Sequence, residues 1–163
     1  MNKAALALAL IFLTAISSCS KSGTVAQGGT WSFKGVGYTS TAFSTTYGAV
    51  NVSNQSGAYS TNYSTLSVNF YGGIPTTQYD TFSHSYHVVN NNVLDSTTQV
   101  SIALSVGGND TIYRSTGGNG SEYVNVKIYN GNISITGSGL ELDNIATGMA
   151  ADSGVLNLNI VQP

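Results

Sequence analysis

Charge is the scarcest property of this 163-residue chain: Asp, Glu, Lys and Arg make up 7% of it, against about 25% in an ordinary globular domain. Five basic residues stand against seven acidic ones, a formal net charge of −2. Beyond Lys3 the basic residues are Lys21, Lys34, Arg114 and Lys127, too few and too scattered to follow a phosphate backbone, which excludes nucleic acid as a partner. Cysteine occurs once, at Cys19, so no intrachain disulfide is available and an exported fold must stand on its core alone. The Ala/Glu/Lys/Leu bias of coiled coils and helical bundles is missing. Beyond the first nineteen residues no segment carries an apolar stripe of helical period. What the chain does have is 41% hydrophobic residues, 19 Gly and 10 Tyr, with Ser, Thr and Asn filling the remainder. A length of about 145 residues after an 18-residue leader suits one domain with a real core, since chains near 150 residues bury about 70% of their unfolded surface.

The N-terminus is the most specific stretch. Asn2 and Lys3 form a short positive region, and Ala4 to Ile16 is apolar except at Thr14. That run is too short to span a hydrocarbon core of about 30 Å as a permanent helix and fits the apolar part of a signal peptide. Ile16-Ser17-Ser18-Cys19 resembles the bacterial lipobox, in which an aliphatic residue and two small ones precede the lipidated cysteine. The resemblance implies cleavage before Cys19, diacylation of its thiol and acylation of the new amine. Acyl chains in that number make a firm membrane anchor. By the sorting rule of enterobacteria, Ser20 in place of Asp after the cysteine directs such a protein to the outer membrane. The expected division is therefore a leader at 1–18, a lipidated cysteine with a flexible tether at 19–28, and a domain at 29–163.

From Gly29 onward the pattern is β throughout. Expected strands are Thr30–Lys34, Gly37–Ser44, Ala49–Ser53, Thr65–Tyr71, Phe82–Val89, Gln99–Val106, Thr111–Ser115, Glu122–Tyr129, Asn132–Thr136, Leu140–Asn144 and Val155–Val161. Most alternate with period two, the mark of a strand with one buried face. One hairpin is specified in detail: Asn130-Gly131 favours a type I′ turn. Its two-residue register sets Ile128 against Ile133, Val126 against Ile135 and Lys127 against Ser134. A slip of one residue would destroy the shared apolar face. Many short strands without crossover helices predict an all-β fold, a single antiparallel β-sandwich. The alternative is an up-and-down barrel: Gly29-Thr30-Trp31 resembles the Gly-x-Trp opening of lipocalins, although Arg114 falls mid-chain and not on a late strand where that family covers its tryptophan. A Trp at the start of a core strand explains the same residues.

Candidate chemistry is thin. Asp80, His84 and His87 carry donors suited to zinc or copper, but residues three apart on a strand point to opposite faces. The competing reading is two half-exposed histidines on an edge strand. Serines and aspartates abound without a Gly-x-Ser-x-Gly elbow; Gly137-Ser138-Gly139 has the wrong spacing and falls between two expected strands. Glu122 and Glu141 are the only glutamates, and sequence does not set their separation. Gly117-Gly118-Asn119-Gly120 lacks the lysine and following helix of a phosphate loop and reads as a hairpin loop. Gly107-Gly108-Asn109-Asp110 and Asp143-Asn144 offer oxygens without the spacing of a calcium loop and read as surface turns. No catalytic residue and no cofactor are expected.

Asp95-Ser96-Thr97 and Asp110-Thr111-Ile112 resemble the O-glycosylation site of the periplasm of Bacteroidota, which would place glycans on Ser96 and Thr111. Tyr38, Tyr47, Tyr59 and Tyr63 lie in a stretch rich in Ser, Thr, Asn and Gly, the composition of adaptable recognition surfaces. Tyr59 and Tyr63 are the candidates for stacking on sugars, and the same residues also suit strands. Loops at Gly72-Gly73 with Pro75, and at Gly148–Gly154, are the places where a loop-built site would form. The whole is similar to small β-rich lipoproteins of Bacteroidota. Its expected role is non-catalytic: binding, adhesion or envelope structure at the outer membrane, with a glycan or surface protein as partner. The alternative is a lipocalin-like carrier of a small apolar ligand, and the third reading a hydrolase or metalloenzyme.

Overall fold

A computed structural model describes residues 28–54, 63–75, 81–107, 111–118, 120–145 and 152–163. The leader, Cys19, Tyr59 and Asp80 lie outside the described residues. Within them the strands run β1 (Gly29–Phe33), β2 (Val36–Thr39), β3 (Ala42–Thr46), β4 (Ala49–Asn54), β5 (Ser64–Phe70) and β6 (Thr81–Val88). After a 3₁₀ turn at Asn91–Val93 they continue as β7 (Gln99–Val106), β8 (Thr111–Ser115), β9 (Tyr123–Tyr129), β10 (Asn132–Asn144) and β11 (Ser153–Val161). The fold is all-β.

The hairpin of β9 and β10 has the register its sequence dictates: Ile128 faces Ile133, Val126 faces Ile135 and Lys127 faces Ser134. Its turn residues have φ of 48° at Asn130 and 79° at Gly131, as a type I′ turn requires. Two expected boundaries shift. The stretch expected as one strand over 37–44 is broken at Ser40 and Thr41, whose amides bond to Gly29 and Ser53, so the chain steps from β1's neighbour to β4's. The two expected strands after Asn132 are one, β10, with a bulge between Gly137 and Leu140. Gly137-Ser138-Gly139 is thus a kink inside a strand and not a loop.

The strands lie in the order β2-β1-β11-β10-β9-β6-β7-β5-β4-β3, and β8 pairs with both β10 and β7. This makes two facing layers. One is β2-β1-β11-β10-β9-β6 and the other β3-β4-β5-β7-β8, and side chains meet between them: Trp31 Nε1 donates to Ser64 Oγ at 3.2 Å, Phe33 packs on Tyr113 and Phe70 on Tyr86. The layers are stitched at two seams, β6 to β7 through His87–Gln99 and Val88–Val100, and β8 to β10 through Tyr113–Ser115. The seams close a ring of β10, β9, β6, β7 and β8. The first seam is parallel, so the sheet is not antiparallel throughout. The strand order also differs from the up-and-down succession of a lipocalin-like barrel, because β6 neighbours β9 and β5 neighbours β7.

Burial follows the pleat. Tyr38, Trp31, Leu158, Gly137, Val124 and Tyr86 stand in register on one inner row of the first layer. All but Gly137 are buried hydrophobic residues. A Cβ on Gly137 would come within 3.0 Å of Val124 and Leu140 side-chain carbons, which is why this row carries a glycine at the bulge. Leu66, Ile102, Leu104, Ile135, Leu140, Leu142, Leu156 and Ile160 fill the space between the layers with almost no exposure. The ring interior is therefore packed side chain and not a calyx. Trp31 is covered by Tyr38, stacked at 5.5 Å.

Candidate functional site

The outward row next to that inner row is made of short polar side chains only. Thr39, Thr30, Asn159, Thr136, Asn125 and Ser85 are consecutive cross-strand partners over six strands, and every one is exposed. At about 4.8 Å per strand the row spans about 24 Å. Period two produces it: each of these residues neighbours in sequence a member of the buried row. Ser85 Oγ donates to Asn125 Oδ1 at 2.6 Å, which fixes the amide at one end of the row. Along β9, Tyr123 one row to one side of Asn125 and Tyr129 two rows to the other stand on the same face, 48% and 65% exposed. Between them Lys127 is the one Asp, Glu, Lys or Arg among the described residues of these rows. Shallow depressions occur on this face beside Thr30, Ser32 and Asn157, beside Asn125, Thr136 and Ser138, and beside Ser83, Lys127 and Tyr129.

The histidines do not converge. His84 is exposed and lies edge-on to Tyr86, on the side of β6 that carries Phe82. His87 is on the opposite side, half-buried against Tyr123 with ring centroids 5.3 Å apart. β6 pairs with β9 from Thr81 to His87 on one side and with β7 only at His87 and Val88 on the other, so at His84 its second side is an open edge. No group of three or more His, Cys, Asp or Glu side chains suited to a metal occurs among the described residues.

The ionisable groups gather elsewhere, around β8. Lys34 bonds to Asp152, and Tyr113 Oη receives a bond from Lys34 Nζ at 3.2 Å and donates to Asp152 Oδ2 at 3.0 Å. Asn144 Nδ2 donates to the same carboxylate at 2.7 Å. The bonds from Asn144, Lys34 and Tyr113 draw the Asp152 carboxyl from 3.8 down to about 2. Desolvation pulls Lys34 down, but its bonds to Asp152 and Tyr113 outweigh that and hold it above its ordinary value. Lys34 also sits over the Tyr113 ring at 4.6 Å. This cluster ties the β1–β2 turn to β8, β10 and the start of β11, a structural clasp. Glu122 and Glu141 meet nearby, but through a backbone amide: Glu141 N donates to Glu122 Oε1 at 2.6 Å. Asp143 and Asn144 belong to β10 and not to a surface turn. Gly117 lies in a connection between β8 and β9, which do not pair, so that segment is no hairpin loop. Its φ is 74° and a Cβ there would approach Asn90 N to 2.9 Å.

Tyr63 is half-buried where the chain enters β5, its carbonyl accepting from Gly107. Ser96 lies in the turn before β7 with its hydroxyl 3.1 Å from Thr98 Oγ1, and Thr111 begins β8 half-buried. The exposed aromatic residues of the polar face, Tyr123 and Tyr129, are not the ones the Tyr-rich stretch singles out. Their signal was the alternation of β9 itself, where Tyr123, Asn125, Lys127 and Tyr129 occupy the exposed positions.

Of the two loops expected to build a site, the one at Gly148–Gly154 lies mostly outside the described residues, and the one at Gly72-Gly73 with Pro75 borders a cleft. Gly72, Gly73, Ile74 and Pro75 close one side of this cleft of about 640 Å³ at the end of the molecule where β1 begins. Its other walls are Thr45 and Thr46 at the end of β3 with Tyr47 after them, and Ile128, Ile133 and Gln162 from the ends of the first layer. Tyr47 Oη donates to Gly72 O at 3.1 Å, which holds the two loops together.

No family model matches the chain, and no curated protein or solved structure matches it significantly.

Proposed function

We propose that the protein is a lipid-anchored outer-membrane binding module, non-catalytic, that holds a neutral glycan across the outer face of its first layer. The observation that carries this reading is the exposed six-strand row of Thr, Asn and Ser flanked by Tyr123 and Tyr129. Hydroxyls and amides both donate and accept, which suits the hydroxyls of a neutral sugar. An exposed tyrosine supplies a rigid apolar ring for a sugar face. The near absence of charge between the two tyrosines disfavours an ionic partner. The anchor rests on Ile16-Ser17-Ser18-Cys19; incorporation of labelled palmitate that disappears in Cys19→Ala is the expected result, and label retained in that variant refutes it.

Binding is tested by titrating the purified chain with a panel of neutral oligosaccharides. Tyr123→Ala and Asn125→Ala should each weaken binding by about tenfold, or about 1.4 kcal/mol, with circular dichroism unchanged. A chain that binds none of the panel, or variants that bind as the wild type does, overturns the glycan reading. The packed ring interior favours this surface over a buried carrier site.

A further inference from the structure

The cleft beside Tyr47 lies at the end of the molecule that the anchor would hold. Gly28, the residue from which the chain reaches back toward Cys19, accepts a hydrogen bond from Val161. The next residue, Gln162, lines the cleft. Gly28 is also buried against Phe43 and Val52, and Phe43 precedes the lining Thr45 by two residues on β3. Cys19 precedes Gly28 by nine residues, a reach of at most about 30 Å. A bilayer that holds Cys19 is therefore within reach of this end.

That end is also the one chemically suited to a bilayer. Every residue lining the cleft is uncharged, and Ile74, Pro75, Ile128 and Ile133 supply its apolar walls. Tyr47 stands in its lining, 85% exposed, and Tyr71, the neighbour of the lining Gly72, is 47% exposed at the same end. Tyrosine collects at membrane interfaces because its ring is apolar and its hydroxyl stays wet. At the other ends of β1 and β10 the surface is different. Lys34, Arg114, Glu122, Glu141, Asp143 and Asp152 surround β8 there, and the exposed large hydrophobic residues Val36, Ile145, Val155 and, beside Glu122, Tyr123 are set among these charges.

Resting on the anchored reading above, we propose that this uncharged cleft docks on the bilayer that carries the Cys19 anchor, with Tyr47 in the headgroup region. The charged β8 end then points away from the membrane, the strands of the first layer stand upright on it, and the six-strand polar row runs across them roughly parallel to the bilayer, open to a partner from the side.

The test uses the full chain, isolated with its lipid and reconstituted into vesicles of phosphatidylethanolamine and phosphatidylglycerol with brominated acyl chains. Trp31 is the only native tryptophan and is 3% exposed, so it provides a constant background. Tyr47→Trp, and independently Tyr71→Trp, should add emission that is blue-shifted and lost to bromine quenching. Val155→Trp at the far end should add emission that is neither. Protein that floats with the vesicles while the emission of Tyr47→Trp and Tyr71→Trp stays water-like and unquenched overturns the docking and leaves the anchor intact. Protein that does not float refutes the anchor itself, and the docking with it.

Discussion

Asp152 shows how one side chain in a charge-poor molecule acquires weight. Its carboxylate receives hydrogen bonds from Asn144, Lys34 and Tyr113, which set its pKa at about 2 in place of 3.8. A carboxyl whose pKa is depressed on folding stabilises the native state above its unfolded pKa and loses that contribution as pH falls through the folded one. The clasp should therefore hold above pH 3.8 and fail as pH approaches about 2. Carboxyl-carbon NMR should place the Asp152 midpoint near 2, and Asp152→Asn should remove this component from the acid limb of a stability–pH curve. A midpoint at the ordinary 3.8 would contradict the clasp. Lys34 has the opposite sign: its raised pKa means a contribution complete below 10.5 and lost above the folded value. Gly29 is constrained in another way. Its φ is 104°, and a Cβ there would fall 2.1 Å from Asn159 O, because β1 lies against β11 with no room for any side chain.

At the level of elements, the β9–β10 hairpin was legible because two independent signals agreed, Asn130-Gly131 for the turn and Ile128/Ile133 with Val126/Ile135 for the face. Gly131 has φ 79°, so Gly131→Val should cost about 1–2 kcal/mol, read as a lower urea midpoint with an unchanged slope. An unchanged midpoint would show that the turn does not set the register. The break at Ser40-Thr41 was not legible, since Gly37 to Ser44 alternates acceptably as one strand, and the change of layer is decided by which strands offer edges. The bulge at Gly137–Leu140 looks like a gap between strands in the sequence because a bulge and a turn draw on the same small residues. The polar face was half legible: alternation in each strand gives outward Thr, Asn and Ser, but only the non-sequential order β2-β1-β11-β10-β9-β6 lines them into one row. The cleft combines the two. Its Gly72-Gly73-Pro75 side shows in the punctuation, while Ile128, Ile133 and Gln162 reach it through pairing across the chain.

For the molecule as a whole, scarcity of charge means that stability comes from packing. Lys34–Asp152 is the one ion pair among the described residues, against a core in which Leu66, Val68, Leu104, Val124, Val126 and Ile135 are wholly buried. Raising salt from 0.1 M to 1 M shortens the Debye length from about 10 Å to about 3 Å. With so little surface electrostatics to screen, the urea midpoint in sodium chloride should change little at pH 7. A large drop would reveal an ionic contribution that the fold does not display. One feature of the sheet reaches beyond stability into how the chain is made. The first strand pairs with the last, Gly29 opposite Ile160 and Phe33 opposite Leu156. Contacts so distant in sequence delay folding. A growing chain can fold β1 against β2 at once, but that hairpin has no further neighbour in the first layer until β11 is made. Half of that layer therefore waits for a strand far downstream, and its polar row becomes continuous only when β11 comes between β1 and β10.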